Sequence, residues 1–321
     1  MRKIGLGFKG IIAAMLLSSS IGHAQDSYPS RSITAVVCCA GTVEAVARFI
    51  TDSVATYLDQ PVVIMTKPGA SGMIAAEYVA KTNPDGYTIF IGTNSSHGAN
   101  QSLFKNMRYD FINDFTPISG IAEGKLVLVV NPNSPFKSVA DLTAYAREKP
   151  GTLTYGWASS STRLAMEKYK MMEKLDIRDI PYKTNPQAAI DISGGNLDLM
   201  FAEFSSALPL IQSGRLRALA VSSTGRDIAL PEVPTMAETG VKDYKLTWWM
   251  AAWAPANLPK EKVEKLNAAF AKALTLPKMR TSFATAGVEP LPLSAEQLAK
   301  FQVKEHEDWG VVIRAAGIQP Q

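Results

Sequence analysis

Metal-ligating and nucleophilic side chains are scarce in this sequence. Its 321 residues carry two cysteines and three histidines, and one histidine, His23, falls within the first 24 residues. A structural or catalytic metal needs several ligands at set spacings, so none is expected, and no cofactor either. No Walker loop, HExxH, GxSxG or CxxC occurs, and the one GxGxxG match, GLGFKG (5–10), falls in the leader-like start of the chain and follows no strand, which removes the motif-borne routes to nucleotide, zinc-hydrolase, serine-hydrolase and dithiol chemistry. Repeats and low-complexity tracts are missing as well.

Long apolar runs are also lacking past the start of the chain. There, Arg2, Lys3 and Lys9 precede the apolar stretch GIIAAMLLSSSIG (10–22) and the small-residue pattern GHA (22–24). That order reads as a secretory signal peptide over residues 1–24, cleaved after Ala24, and it implies a periplasmic protein. Charge of one sign is scarce too. The formal net charge is +4, and without the three leader cations the 33 basic residues become 30 against 29 acidic ones, leaving +1. No nucleic-acid partner is expected. A mature chain of this length exceeds one ordinary core and suggests two domains.

Cys38 and Cys39 are adjacent. A bridge between neighbours closes a strained ring, so the expectation is two unpaired thiols packed as small residues at a strand end, with a vicinal disulfide as the lesser alternative.

Short β-rich runs alternate with helical patterns, the signature of an α/β protein. Strands are expected at 33–38, 61–65, 87–92, 126–131, 152–155, 177–181, 197–201, 216–222 and 246–253. A helix from Val43 places Val43, Val46, Ala47, Ile50, Val54 and Tyr57 on one face. Another follows Pro259, and SAEQ (294–297) is a capping box that opens a C-terminal helix. Gly194, Gly214 and Gly240 read as helix stops. The segments 125–135 and 244–255 look like extended crossings between two lobes. The expected division is 25–130 with 246–321 as lobe 1, 131–245 as lobe 2, and a ligand cleft between them.

The residues that bear on function are small and polar and sit in strand-to-helix turns: CCAGTVE (38–44), TKPGASGM (66–73), GTNSSHGAN (92–100) and YGWASSSTRLAME (155–167). Turns at the carboxyl ends of strands face the crevice of an open α/β sheet, and helix N-termini there favour an anion. Thr42, Ser71, Thr93, Asn94, Ser95, Ser96, Ser159 and Ser160 are the candidate polar contacts. Arg163, in the first turn of a helix, is expected to hold a ligand carboxylate, which would offset its unfavourable place in the helix dipole. Glu44 either accepts from the ligand or caps its own helix. His97 is expected either as a loop residue beside the ligand or as a hydrogen-bonded turn residue, since adjacency to Ser96 makes a poor catalytic dyad. Trp157, or one of Trp248, Trp249 and Trp253, could stack on a planar ligand. An exported α/β protein with an anion cleft and no catalytic constellation is best read as a solute-binding protein and not an enzyme.

Several segments carry a resemblance across nearly the whole mature chain: QPVVIMTKPGASGMIAAEYVAKTNPDGYTIFIGT (60–93), SHGANQSLF (96–104), YDFINDFTPIS (109–119), IPYKTNPQAAIDISGGNLDLMF (180–201), SALPLIQSGRLRALAVSS (206–223) and LPEVPTMAETG (230–240). With these the sequence resembles the Bug-type (TctC-like) periplasmic receptors of tripartite tricarboxylate transporters. The resemblance implies a two-lobed clamshell that closes on a small organic anion and delivers it, as a monomer, to membrane permease subunits. It also adds Tyr182 and the 202–205 segment, with Glu203, to the candidate site. Relatives usually carry a glycine-rich turn ending in Asp after the first strand, where this chain has the shorter CCAGTVE. Their usual Asp after MF is Ala202 here. Loss of that partner for an ammonium group, together with Arg163, points to a dicarboxylate without an amine, aromatic ones such as terephthalate included. A receptor reporting to a signalling partner is the alternative.

Overall fold

The computed structural model describes residues 28–320. The leader expected at 1–24 lies outside them. The chain begins β1 (Ile33–Val37), α1 (Thr42–Leu58), β2 (Val62–Thr66), α2 (Met73–Ala80), β3 (Thr88–Thr93), α3 (Asn100–Leu103) and β4 (Phe115–Gly124). It continues through β5 (Leu126–Val130), α4 (Val139–Glu148), β6 (Thr154–Trp157), α5 (Ser160–Glu173), β7 (Arg178–Pro181), α6 (Asn185–Gly194), β8 (Leu199–Glu203), α7 (Phe204–Gln212) and β9 (Arg217–Val221). It returns as β10 (Trp248–Pro255), α8 (Lys260–Leu274), α9 (Pro277–Thr285), β11 (Val288–Pro290) and α10 (Ala295–Ala315).

Two sheets result, and with their helices they make the two lobes. The first has the order β11-β4-β10-β3-β1-β2 and the second β7-β6-β8-β5-β9. In the first, β1 runs parallel to β2 and β3, while β10 is antiparallel to β3 and β4. In the second, β6 is parallel to β7 and β8, while β5 is antiparallel to β8 and β9. Every residue of β5 and of β10 is buried, as central strands covered on both faces require.

The chain crosses between sheets twice. One residue, Lys125, separates β4 from β5. The return runs from β9 to β10 through 222–247. Residues 126–130, expected with lobe 1, therefore belong to the second sheet. The crossings are stitched together at Ser222. Its Oγ accepts from the Leu126 amide at 2.9 Å, and its carbonyl accepts from the Leu246 amide at 3.0 Å. Lys125 reaches Asp227 at 3.1 Å and Glu289 at 2.5 Å.

Two strands escape the sequence pattern. β4 contains Pro117, Gly120 and Gly124, which read as turn residues. Gly124 is needed because a Cβ there would stand 2.2 Å from the Trp248 indole. β11 has three residues, too few for a period. On α1, Val46, Ala47, Ile50 and Val54 are buried as expected. Tyr57 is exposed, with Lys272 Nζ over its ring at 5.8 Å. The stop after α6 is Gly195 and not Gly194, since Gly195 takes the left-handed conformation at φ 78°. Ser294 and Gln297 form the expected capping box on α10.

Candidate functional site

Strand-to-helix turns from both sheets converge on a cavity of about 760 Å³. The first lobe contributes Cys38–Val43 after β1, Pro68, Gly69, Ser71 and Gly72 after β2, and Thr93–Ser95 at the end of β3. The second contributes Ala158–Ser161 after β6, Lys183–Pro186 after β7, and Glu203, Ser205 and Ser206 at the β8–α7 junction. Trp248, the first residue of β10, completes the wall.

Local sequence explains how each turn presents itself. Gly41 precedes α1 with φ 78° and ψ −134°, a conformation only glycine holds easily, and no side chain caps the helix. α2 starts after Gly72 and α7 after Glu203, again without a capping side chain. First-turn amides of such helices lack intrahelical partners and carry the positive end of the dipole. By contrast, Ser159 caps α5 by accepting from the Thr162 amide, and Thr184 caps α6 by accepting from the Gln187 amide.

Two hydrogen bonds span the cleft. Thr42 Oγ1 donates to Ser205 Oγ at 2.8 Å. Asn94 Nδ2 donates to Ser161 Oγ at 3.2 Å. Asn94 is itself fixed by β10, its amide donating to the Trp249 carbonyl at 3.0 Å. The lobes therefore meet through side chains that also face the cavity.

Among the described residues, the charged side chains lining the cavity are Lys183 and Glu203. Burial raises the Glu203 carboxyl to about 7, while hydrogen bonding from Ser159 and Asn185 works the other way. Near neutral pH this carboxyl is partly protonated and can donate to an anion as well as accept. Asn185 Oδ1 beside it is buried without a protein partner.

Of the residues expected from sequence, Thr42, Ser71, Thr93, Asn94, Ser95, Ser159, Ser160 and Glu203 line the cavity. The others do not. Glu44 accepts from Arg48 Nη2 at 2.5 Å, one turn along its own helix. Ser96 is fully buried, its Oγ donating to the Thr93 carbonyl at 3.0 Å and accepting from the Thr93 amide at 3.2 Å. His97 lies behind it, fully buried and stacked on Trp253 with centroids 3.9 Å apart. Burial drives that imidazole down to about 3, so it is neutral at physiological pH. Its Nδ1 sits 3.1 Å from Ser96 Oγ, but this serine is committed to backbone and sealed from the cavity, so the pair is structural.

Arg163 and Trp157 are occupied with each other. The guanidinium sits 4.5 Å above the Trp157 ring, and Arg163 Nη2 is 3.6 Å from Asp179. Trp157 Nε1 donates to the same carboxylate at 3.1 Å. Asp179 lies on β7, beside β6, and neither Trp157 nor Arg163 is among the residues lining the cavity. Tyr182 OH donates to Asp191 Oδ2 at 2.8 Å and stays outside the lining.

Lys183, Asn185 and Ser206 were missed as contacts, while Ser205 lies within the expected 202–205 segment and Cys38 and Cys39 within the expected 38–44 turn. The stretch KTNPQ (183–187) follows a strand and opens a helix with an N-cap threonine and an early proline, the same signal that marked the other turns.

A family model described as the tripartite tricarboxylate transporter family receptor matches residues 46–318. The chain is 32% identical over 312 residues to a UPF0065 protein of Bordetella pertussis, covering 96% of each. It is similar to an R. palustris protein solved with adipate, at 34% identity and a TM-score of 0.83, over 92% of this chain and 100% of that one. It is also similar to the protein MatC from Rhodopseudomonas palustris with bound malate, at 29% identity and a TM-score of 0.78, over 89% of this chain and 100% of that one.

Proposed function

The chain belongs to the receptor family of tripartite tricarboxylate transporters, and on that premise we propose that it captures a small organic dicarboxylate in the periplasm and hands it to membrane permease subunits. The observation that carries this reading is the cavity between the sheets, ringed by hydroxyls and by three helix starts without capping side chains. Such a ring suits a carboxylate, which takes hydrogen bonds from amides and hydroxyls without a full countercharge. The adipate and malate found in the two similar structures are both dicarboxylates.

One carboxylate is assigned to the α1 and α2 starts of the first lobe. The second is assigned to Lys183, Ser205 and the protonated form of Glu203, in the role expected for Arg163. Trp248 supplies a face for a planar ligand, so an aromatic dicarboxylate such as terephthalate belongs in the same class. The leader-like stretch at 1–24 supports export.

Binding works by closure. A ligand that makes its full contacts only when both lobes touch it favours the closed state by that difference in affinity. Moving a clamshell from mostly open to mostly closed takes about 5 kcal/mol. Charge-assisted hydrogen bonds contribute roughly 1.5–3 kcal/mol each, so two or three from the second lobe suffice. Calorimetric titration with adipate, malate, terephthalate and aspartate tests the reading. Tight binding of a dicarboxylate with aspartate weak is expected. Tight aspartate binding with all three dicarboxylates inert overturns it.

A further inference from the structure

We propose that Cys38 and Cys39 form a redox-active dithiol in the cavity wall, closed to a vicinal disulfide by a disulfide-bearing small thiol and opened again by the reduced thiol. Their sulfurs are 2.8 Å apart. The two are unequal: Cys38 is buried and Cys39 half-buried, and both line the cavity. Cys38 is held at the end of β1, its amide donating to the Ile91 carbonyl at 3.1 Å. Cys39 stands where the chain turns toward α1 and is the sulfur a small reagent in the cavity meets first.

The electrostatics match this division. The hydrogen bond from Cys38 holds the Cys39 thiol below its ordinary value, while the same bond and burial push Cys38 up. Cys39 is thus the thiolate that attacks and Cys38 the thiol that resolves. The Cys39 thiolate attacks one sulfur of the oxidant RSSR, forming a mixed disulfide and expelling RS⁻, which takes up the proton Cys39 has lost. Cys38 then gives up its proton and attacks the Cys39 sulfur, expelling the second RS⁻, which leaves as RSH. Two protein thiols and one RSSR become one protein disulfide and two RSH.

The ring formed spans a single peptide bond and is strained. Strained disulfides are the easily reduced ones, so the bridge is labile and not a structural staple. Ring closure turns the 38–39 peptide at the foot of the Gly41–Thr42 segment, which carries the uncapped helix start and the bond to Ser205. Oxidation therefore alters the cavity wall where the first lobe meets a ligand.

The test uses oxidised glutathione on the folded, reduced protein, read by intact mass and free-thiol titration. The wild type is expected to lose two hydrogens and both titratable thiols, to retain no glutathione, and to regain the thiols with reduced glutathione. Cys38→Ser is expected to accumulate a stable glutathione adduct, because the attacking sulfur remains without a resolver. Cys39→Ser is expected to stay unmodified, because the remaining thiol is buried. Should Cys38→Ser fail to fold by thermal melting, Cys38→Ala takes its place. A wild type that keeps both thiols, or that carries a lasting glutathione adduct, overturns the proposal.

Discussion

The two sides of the cleft are built from the same strand–turn–helix unit but finish it differently. In the first lobe, α1 and α2 begin after Gly41 and Gly72 with no side-chain cap, and both of these glycines line the cavity. In the second, Ser159 and Thr184 spend their side chains on capping α5 and α6. Only α7 starts uncapped in that lobe, and it does so behind Glu203, so the lobe meets the cavity chiefly with the side chains of Lys183, Asn185 and Glu203. An uncapped helix start offers any carboxylate the same geometry, whereas charged and amide side chains differ from one chain to another. The first lobe should therefore set affinity for the anionic class, and the second should choose among its members.

Four experiments would break or sharpen that contrast. The largest effect is expected from Gly41→Val. No atom lies within 4 Å of the added Cβ, so the cost is backbone strain, of order 1–3 kcal/mol. The turn relaxes, α1 withdraws its amides, and calorimetry should show affinity for every dicarboxylate falling roughly tenfold or more. Unchanged affinity would mean the first lobe does not grip through its main chain.

Next is the pH response of Glu203. Its folded carboxyl is raised to about 7, above the unfolded value, so the folded state binds the extra proton. That contribution favours folding at low pH and is lost as pH rises from the ordinary carboxyl range through about 7. Dicarboxylate affinity should fall in parallel, roughly tenfold between about pH 6 and about pH 8, as a protonated donor becomes a second anion. Glu203→Gln should remove this slope from both melting and titration curves, and a variant that keeps the wild-type slope would remove Glu203 from the site.

Thr42→Val should be milder, because it deletes one neutral hydrogen bond across the cleft, worth about 0.5–1.5 kcal/mol. A several-fold weaker ligand with unchanged melting of the free protein is the expected outcome, and a change in melting alone would mark the bond as structural only. The smallest effect is expected from Arg163→Ala. Its guanidinium is engaged by Trp157 and Asp179 outside the cavity, and pairs of this kind contribute about 0.2–1 kcal/mol. Affinity should stay within about twofold, and a tenfold loss would return Arg163 to the site.

Arg163 also shows where the sequence stops being readable. Its place in the first turn of a helix was legible, and the anomaly of a cation there was real. The relief came from Asp179 on the neighbouring strand β7, a contact set by sheet pairing and invisible to local pattern. The same limit hid β4, whose Gly124 makes room for a tryptophan far along the chain. His97 was placed near the ligand because its neighbours are; the π-type turn at Ser95–Ala99 aims it into the aromatic core instead. What was legible followed one rule. Strands with continuous apolar runs and turns of small polar residues appear close to where they were expected, because burial and helix capping are local requirements.

The passage from β4 to β5 through Lys125 alone has a mechanical meaning. A one-residue joint, laced to its neighbour at Ser222, leaves the halves little freedom to slide or twist. Under the proposed closure they swing like a door on a two-pin hinge, and a single angle describes the trajectory. On that proposal a guest too long for the fully shut angle would prop the door ajar, so guest length would be converted into the posture shown to the proposed permease.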